Sequence, residues 1–131
     1  MGDLVLELCA LAGIYSAEQE DIPMSTAAST APSAPDPVQI DAEHYTVEFE
    51  NEKVRVLRIK YAAREKSPMH SHPPLVGIFL TPHHSRHVLA DGSVMELSGN
   101  AGDVRYLDRI EHAPENLSDE PFEVIAVELK S

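Results

Sequence analysis

The sequence predicts an all-β domain over residues 41–130, built as a sandwich or barrel, and two observations carry that prediction. From His44 onward, short runs rich in Val, Ile, Tyr and Phe follow one another at close spacing, which is typical of β-strands. Turn residues separate the runs, and Asp91-Gly92 is a strong hairpin signal because this pair tolerates a positive φ. Many short strands joined by short turns favour a sandwich or a barrel.

Seven strands are expected in this region, with turns at Asn51-Glu52, Asp91-Gly92, Gly99-Asn100 and residues 118–121. The chain of 131 residues has room for one compact core, since a body of roughly 90 residues buries only about 60–70% of its unfolded surface. The predicted strands are residues 45–50, 53–61, 75–81, 85–90, 93–98, 103–107 and 122–129.

The first 37 residues differ from the rest and are expected to form a flexible, mostly disordered extension. Twelve of the fourteen residues at 24–37 are Ala, Ser, Thr or Pro, which offer too few large apolar groups to offset the entropy of ordering. Upstream, Leu4, Leu8 and Leu11 repeat at helical spacing, which favours a short helix over residues 4–15. The change of composition at Met24 leaves open a native start there. The predicted barrel domain spans residues 38–131.

Charge and composition exclude two classes of partner. The formal net charge is -12, half of it in residues 1–37, so contact with nucleic acid or anionic lipid is unfavourable. No stretch approaches the roughly 20 apolar residues of a membrane-spanning helix. Cys9 is the only cysteine, which excludes an internal disulfide and suits a reducing compartment. We therefore expect a water-soluble, cytoplasmic protein that binds neither nucleic acid nor membrane.

Two histidines one residue apart, His70 and His72, are the first chemical signal. In a strand, alternate side chains point to the same face, so both imidazoles can face one interior. Imidazole suits Fe, Ni, Cu and Zn, and a third ligand from a distant strand would complete a facial set with open positions for water or substrate.

A second segment supplies that ligand, with Gly102 followed by His112 and Asn116. The two segments resemble the motifs of the cupin family, Gly-x5-His-x-His-x3/4-Glu-x6-Gly and Gly-x5-Pro-x-Gly-x2-His-x3-Asn, and in particular the small single-domain bacterial cupins. His70 and His72 match the first histidine pair, and His112 with Asn116 keeps the spacing of the second motif. The resemblance implies a single cupin, or jelly-roll, β-barrel that binds metal through His70, His72 and His112.

The chain also departs from these motifs. The family's glutamate falls at position 76 or 77, where this chain has Val76 and Gly77, so the usual fourth ligand is missing. Asp108 stands in place of the usual proline, and Arg64 in place of the opening glycine. These departures leave open a degenerate barrel that binds no metal.

Function is predicted at the level of class. Three neutral histidines keep the full charge of a divalent ion and leave open positions, which favours an anionic or bidentate ligand. Such a site resembles those of cupin thiol and diketone dioxygenases, so iron is favoured, while nickel, manganese or zinc would fit isomerase, lyase or hydrolytic chemistry. We expect an enzyme acting on a small polar or anionic metabolite. A non-enzymatic binding or sensing module and an inert dimerisation barrel stay open as alternatives, and the resemblance suggests a homodimer.

Further residues are assigned from strand parity. If the face of His70 and His72 continues along the chain, the next even-numbered residues line a substrate pocket, and Tyr106 offers it a hydroxyl. Glu111 is expected to face solvent, and Asn116 to hold a loop. The predicted pocket residues are Val76, Ile78, Leu80 and Tyr106. The histidines His83, His84 and His87 are expected at the surface, the first two in a hairpin turn.

Overall fold

A computed structural model describes residues 34–131, and over that range the chain folds into two antiparallel β-sheets that enclose a common interior. One short helix, α1 (Pro37–Ile40), precedes the strands. No helix within this range is long and apolar enough to cross a membrane. The strands are β1 (Tyr45–Glu50), β2 (Val54–Tyr61), β3 (His70–His72), β4 (Leu75–Phe79), β5 (His83–Leu89), β6 (Val94–Gly99), β7 (Val104–Leu107), β8 (Ile110–Asn116) and β9 (Phe122–Leu129).

The five-stranded sheet has the order β1-β2-β9-β4-β7, and the four-stranded sheet has the order β3-β8-β5-β6. All pairs are antiparallel, and non-sequential neighbours such as β2 and β9 require the chain to cross between the sheets repeatedly. The predicted all-β architecture is confirmed. All seven predicted strands are present, with ends that shift by at most two residues.

The core lies between the inner faces of the sheets and is centred on the five-stranded sheet. On β9, burial alternates strictly, because successive side chains of a strand point to opposite faces. The hydroxyls of Tyr45 and Tyr61 lie 2.7 Å apart, which satisfies two polar groups inside this core. The buried hydrophobic residues are Tyr45, Leu57, Tyr61, Leu75, Phe79, Phe122, Val124 and Ala126.

Two strands were not among those predicted, β3 and β8. The first is only three residues long and lies just before Pro73-Pro74. The second contains Pro114, a residue that argues against a strand because it cannot donate to the ladder. Its carbonyl nevertheless accepts a hydrogen bond from the Ser67 backbone N–H at 3.0 Å.

The segment from Ala34 to Pro37 is held against the barrel, which corrects the predicted disordered linker at its last four residues. The Ser71 backbone N–H donates to the Pro35 carbonyl at 2.9 Å, and the Ser71 hydroxyl donates to the Ala34 carbonyl at 2.7 Å. Asp36 caps α1, accepting from the Val38 N–H at 3.2 Å. Composition missed this docking because specific hydrogen bonds to Ser71 and the ion pair of Asp36 with Arg55 contribute to it. The remainder of the predicted linker, residues 24–33, and the predicted helix at 4–15 lie outside the described residues.

Candidate metal centre

Three histidines converge in the interior, where β3 pairs with β8. Alternation along β3 turns His70 and His72 to the same side, and the antiparallel register places His112 directly opposite His70. The three residues are 0%, 3% and 5% exposed, respectively. Their ring centroids are 4.8–5.2 Å apart, and one nitrogen from each ring lies within 4.8 Å of the others. The spacing that the sequence singled out therefore does bring these residues together.

Each of the three rings has its Nδ1 atom engaged by the protein. His70 Nδ1 donates to the Pro68 carbonyl at 2.9 Å, and His72 Nδ1 lies 2.7 Å from Glu128 Oε2. His112 Nδ1 lies 2.9 Å from Nδ1 of His87. The Nε2 atoms of His70 and His112 are buried without a hydrogen-bond partner in the described part of the chain. Imidazole nitrogens that are desolvated and grouped in this way fit a metal ion, which would satisfy them.

The fourth histidine, His87, contacts His112 and so couples the tautomers of the two rings. Its Nε2 atom lies 2.9 Å from the Ser85 hydroxyl, and its Nδ1 faces His112. If His87 carries its proton on Nε2 and donates to Ser85, its Nδ1 is an acceptor and His112 must donate from Nδ1. That arrangement leaves the lone pair of His112 on Nε2, where a metal ligand needs it.

Burial keeps the imidazoles of three residues neutral, His70, His87 and His112. It lowers the pKa of His70 to about 4, with a further contribution from nearby His72. Burial also lowers the pKa of His87 to about 4 and lowers that of His112 strongly. The neutral ring is the form that binds metal, so these histidines need not lose a proton first at neutral pH.

Glu128 is the residue behind His72, and sequence reasoning missed it. Its side chain is 2% exposed and its second oxygen, Oε1, accepts from Arg55 Nε at 2.8 Å. A buried carboxylate needs such partners, because an unpaired charge in the interior is costly. A signal was present in the sequence: Glu128 shares strand parity with the buried Phe122, Val124 and Ala126.

A second polar group supports His70. The Ser67 hydroxyl lies 3.3 Å from His70 Nδ1 and also donates a short hydrogen bond to Asp41. Asp41 in turn accepts from His44, whose Nδ1 lies 2.7 Å from Asp41 Oδ2. His44 stacks on Tyr61 with ring centroids 4.3 Å apart. This network fixes the loop that leads into β3 and so helps to place His70.

A cavity of about 80 Å³ lies beside the histidines, in contact with His72, His87 and His112. A water-sized group needs about 10–15 Å³, so the cavity has room for roughly six such groups. Tyr45 and Tyr61 line it too, and burial raises the pKa of both hydroxyls, so they are neutral. Most of the remaining wall is apolar and includes Leu75, Phe79, Leu97, Leu107, Phe122 and Val124.

None of the four residues predicted to line a pocket lies on this cavity. The cause is a change of sheet: β3 belongs to the four-stranded sheet, but β4, after Pro73-Pro74, belongs to the five-stranded sheet. The parity of His70 and His72 therefore does not carry over, and Leu75, Gly77 and Phe79 point inward instead. Val76 and Ile78 are half-buried, whereas Leu80 and Tyr106 are 44% and 57% exposed.

The remaining histidine predictions are partly wrong. His83 and His87 are 6% and 8% exposed, because both point inward from β5 together with Ser85. His83 lies in the strand rather than in a turn, stacked on Phe79 with ring centroids 3.6 Å apart. Only His84 is exposed, as predicted.

Asn116 behaves as predicted, but Glu111 does so only in part: it points away from His112, yet it lies within β8 rather than in a turn and its side chain is only 20% exposed. Glu111 pairs with Ser71 between the two metal-ligand candidates of β3, and its carboxylate lies 3.3 Å from Arg109 Nη2. Asn116 is fully buried and its amide donates to the carbonyls of Ala62 and Glu120 at 3.1 and 2.8 Å. Asn116 therefore holds loops together, as expected.

No protein-family model and no curated protein matches this chain. Among solved structures, it is similar to a cupin domain from Bordetella pertussis Tohama I, with 22% identity, a TM-score of 0.61, and coverage of 66% of this chain and 92% of that one. An RmlC-like cupin with a double-stranded β-helix fold from Methanocaldococcus jannaschii gives 19% identity, a TM-score of 0.53, and coverage of 69% and 84%. An oxalate decarboxylase gives 19% identity and a TM-score of 0.52, with 70% of this chain matching 27% of that one.

Proposed function

We propose that this chain, which has the cupin fold, is a metal-dependent enzyme that acts on a small molecule through His70, His72 and His112. The observation that carries the proposal is the state of the three rings: all are buried, and each has its Nδ1 held by a protein partner. The free nitrogens of His70 and His112 then lack any partner in residues 34–131. Buried polar atoms normally find a partner, and a metal ion would satisfy these two nitrogens together.

The protein side of the proposed chemistry is binding and orientation. Pro68, Glu128 and His87 fix the three rings, so the site is preorganised before any ligand enters. A bound divalent ion would supply Lewis-acid polarisation and, if it is redox-active, an oxygen-activating centre. We favour iron and a dioxygenase-like reaction because no carboxylate belongs to the ligand cluster in the described range; nickel, manganese or zinc fit the same donors.

The cavity refines the proposed substrate class. A polar or anionic group of the substrate suits the end that His72 and His112 line, where a metal ion would bring positive charge. The apolar remainder of the wall, with Phe79, Leu97 and Phe122, suits a short hydrocarbon part. A cavity of about 80 Å³ holds only a small molecule.

Metal content tests the proposal directly. Protein purified without an affinity tag or chelator should contain close to one divalent ion per chain, and His70→Ala should lose most of it. His84→Ala, which changes an exposed histidine, is the matched control and should keep the metal. Oxygen consumption with small thiols and diketones then tests the dioxygenase-like chemistry. A folded His70→Ala variant with unchanged metal content would reject the proposed site.

A second candidate function is a small-molecule binding or sensing module without turnover. The observation that favours it is the lining of the cavity, which contains no Asp, Glu, Lys or Cys among the residues the structure describes. Beyond the proposed ligands, proton transfer would fall to His87, Tyr45 and Tyr61, which burial keeps neutral. A ligand that raises the melting temperature and is recovered unchanged after long incubation would support this function, whereas steady turnover would exclude it.

We also propose a homodimer that pairs through the outer face of the five-stranded sheet. Adjacent strands place Val76, Val127 and Tyr106 in one row across this face, and Ile78 lies beside Val104 in the next row. Val104 and Tyr106 are 62% and 57% exposed, and such apolar surface is typical of contact sites. Light scattering should show a dimer that Val104→Asp disrupts, while Val94→Asp, on the other sheet, should not. A wild-type monomer at micromolar concentration would reject the dimer.

A further inference from the structure

Asp36, just before α1, lies at one end of a series of ion pairs whose other end is His72. Arg55 on β2 donates from Nη1 and Nη2 to the two oxygens of Asp36, at 2.9 and 2.8 Å. The same guanidinium donates from Nε to Glu128 Oε1 at 2.8 Å, and Glu128 Oε2 lies 2.7 Å from His72 Nδ1. Four side chains from four separate segments are thus connected by direct contacts.

The geometry at Arg55 makes Asp36 more than a surface partner. A guanidinium is planar and its donors are fixed relative to one another, so a carboxylate that binds both Nη atoms also sets the direction of Nε–H. Here that direction points to Glu128. The pairing with Arg55 lowers the pKa of Asp36 despite partial burial, so Asp36 keeps its charge at neutral pH. Arg55 itself is only 17% exposed, which limits screening by water.

Glu128 needs this arrangement because both of its oxygens are committed. One oxygen accepts from Arg55, which leaves the other to accept from His72 Nδ1. In the neutral ring, a proton held on Nδ1 leaves the lone pair of His72 on Nε2. One nitrogen of His72 lies within 4.8 Å of nitrogens of the other two histidines. The side chain of Glu128 is only 2% exposed, and its bond to Arg55 holds it in place. If that bond is lost, Glu128 can move and His72 no longer has an acceptor at a fixed position.

We propose that Asp36 is a positioning residue for the histidine centre, acting through Arg55 and Glu128 on the orientation and tautomer of His72. The segment that carries Asp36 is itself docked on β3, since Ser71, between His70 and His72, donates to the carbonyls of Ala34 and Pro35. Docking of this segment is therefore coupled to the orientation of the histidines on β3. The expected effect on metal affinity rests on the proposed metal function. The expected effect on the tautomer of His72 does not, because it is measured in metal-free protein.

The test compares three variants of the full chain. Asp36→Asn removes the charge but retains a side chain that caps α1 well. Arg55→Lys keeps the charge but cannot hold two carboxylates in a fixed plane. Arg58→Lys is the matched control, because Arg58 lies on the same strand and pairs with Glu48 and Glu123, away from the histidines.

Side-chain nitrogen NMR of the metal-free protein gives the first readout. Wild type and Arg58→Lys should both show His72 with its proton on Nδ1, whereas Asp36→Asn and Arg55→Lys should show a mixture of tautomers. Competition titration with Zn²⁺ gives the second readout. Affinity should fall about tenfold in Asp36→Asn and at least as much in Arg55→Lys, in the range found for groups that orient metal ligands.

Two outcomes separate the possible failures. If Asp36→Asn matches Arg58→Lys in both the His72 tautomer and Zn²⁺ affinity, Asp36 only attaches α1 to the barrel, and the inference is overturned. If wild type fails to bind Zn²⁺ while Asp36→Asn still changes the tautomer, the coupling to His72 is supported and the proposed metal function is the part that fails.

Discussion

His72 Nδ1 lies 2.7 Å from Glu128 Oε2, and both side chains are 2% exposed. The two residues are 56 positions apart in sequence and belong to different sheets, so the contact ties the histidine centre to the C-terminal strand. A carboxylate behind a ligating histidine fixes the ring and raises the basicity of the nitrogen that faces the metal. Loss of the carboxylate should therefore weaken metal binding without removing any ligand.

We predict that Glu128→Gln lowers the affinity for Zn²⁺ or Co²⁺ by about tenfold to a hundredfold. The amide retains the shape of the side chain but carries no charge, so it binds Arg55 and orients His72 less well. Glu123→Gln is the control, because Glu123 lies on the same strand and pairs with Arg58 outside the core. Chelator competition measures both affinities, and equal values for the two variants would contradict the prediction.

The contact between His87 and His112 leads to a similar prediction. His87→Leu places an apolar side chain of similar bulk in the core but removes the hydrogen-bond partner of His112 Nδ1, 2.9 Å away. His112 can then carry its proton on either nitrogen, and metal affinity should fall by about tenfold or more. His84→Leu, at an exposed position of the same strand, should leave the affinity unchanged. A His87→Leu protein that binds metal as tightly as His84→Leu would rule out this role.

The barrel and the pair His70 and His72 were predictable because they depend on local rules, whereas His112 was assigned from the resemblance to the cupin motifs. Turn residues and alternating apolar residues marked the strands, and the two-residue spacing of His70 and His72 survived into the fold. The walls of the cavity were not predictable by the same rule, since the chain changes sheets between His72 and Leu75. Periodicity holds within one strand and carries no information across such a change.

The residues behind the ligands were missed for a different reason. Glu128 and His87 contact the histidines only through pairing of distant strands, which a single sequence does not reveal. Both residues nevertheless share one sign that the sequence shows: each is polar and stands at an inward-facing position of a strand. A polar residue at such a position must find a partner inside the fold.

Two strand glycines allow a matched prediction about stability. A Cβ added at Gly77 would meet Leu75 and Phe79 at 3.8 and 3.9 Å, ordinary contact distances, and the backbone there is not left-handed. Gly77→Ala should therefore raise the free energy of unfolding by about 0.4–1 kcal/mol, because alanine reduces the entropy of the unfolded chain.

Gly99→Ala should have the opposite effect. Its Cβ would overlap Asp103 Oδ2 and lie 2.9 Å from His83 Nε2, so Asp103 must move away from the Asn100 N–H that it accepts from at 2.8 Å. The lost hydrogen bond should cost about 0.5–1.5 kcal/mol. Urea unfolding of the two variants measures both values, and a Gly99→Ala protein as stable as Gly77→Ala would contradict this account.

His44 makes the stability of the barrel depend on pH. Burial alone lowers the pKa of His44, but its hydrogen bonds to Asp41 and Glu65 outweigh burial, so the net shift is upward. The folded state then holds the proton more tightly than the unfolded state, whose histidine titrates near pH 6.5, at about the reference value. The stabilisation by His44 is therefore fully present below about pH 6.5 and is lost as pH rises through the higher folded pKa.

The comparison of wild type with His44→Gln isolates this group from the other titrating histidines. We expect the difference in free energy of unfolding between the two proteins to be larger at about pH 6 than at about pH 9. Contacts that do not depend on charge, such as the stacking of His44 on Tyr61, contribute equally at both values. Urea titrations at a series of pH values measure the difference, and a difference that stays constant with pH would show that His44 binds no extra proton in the folded state.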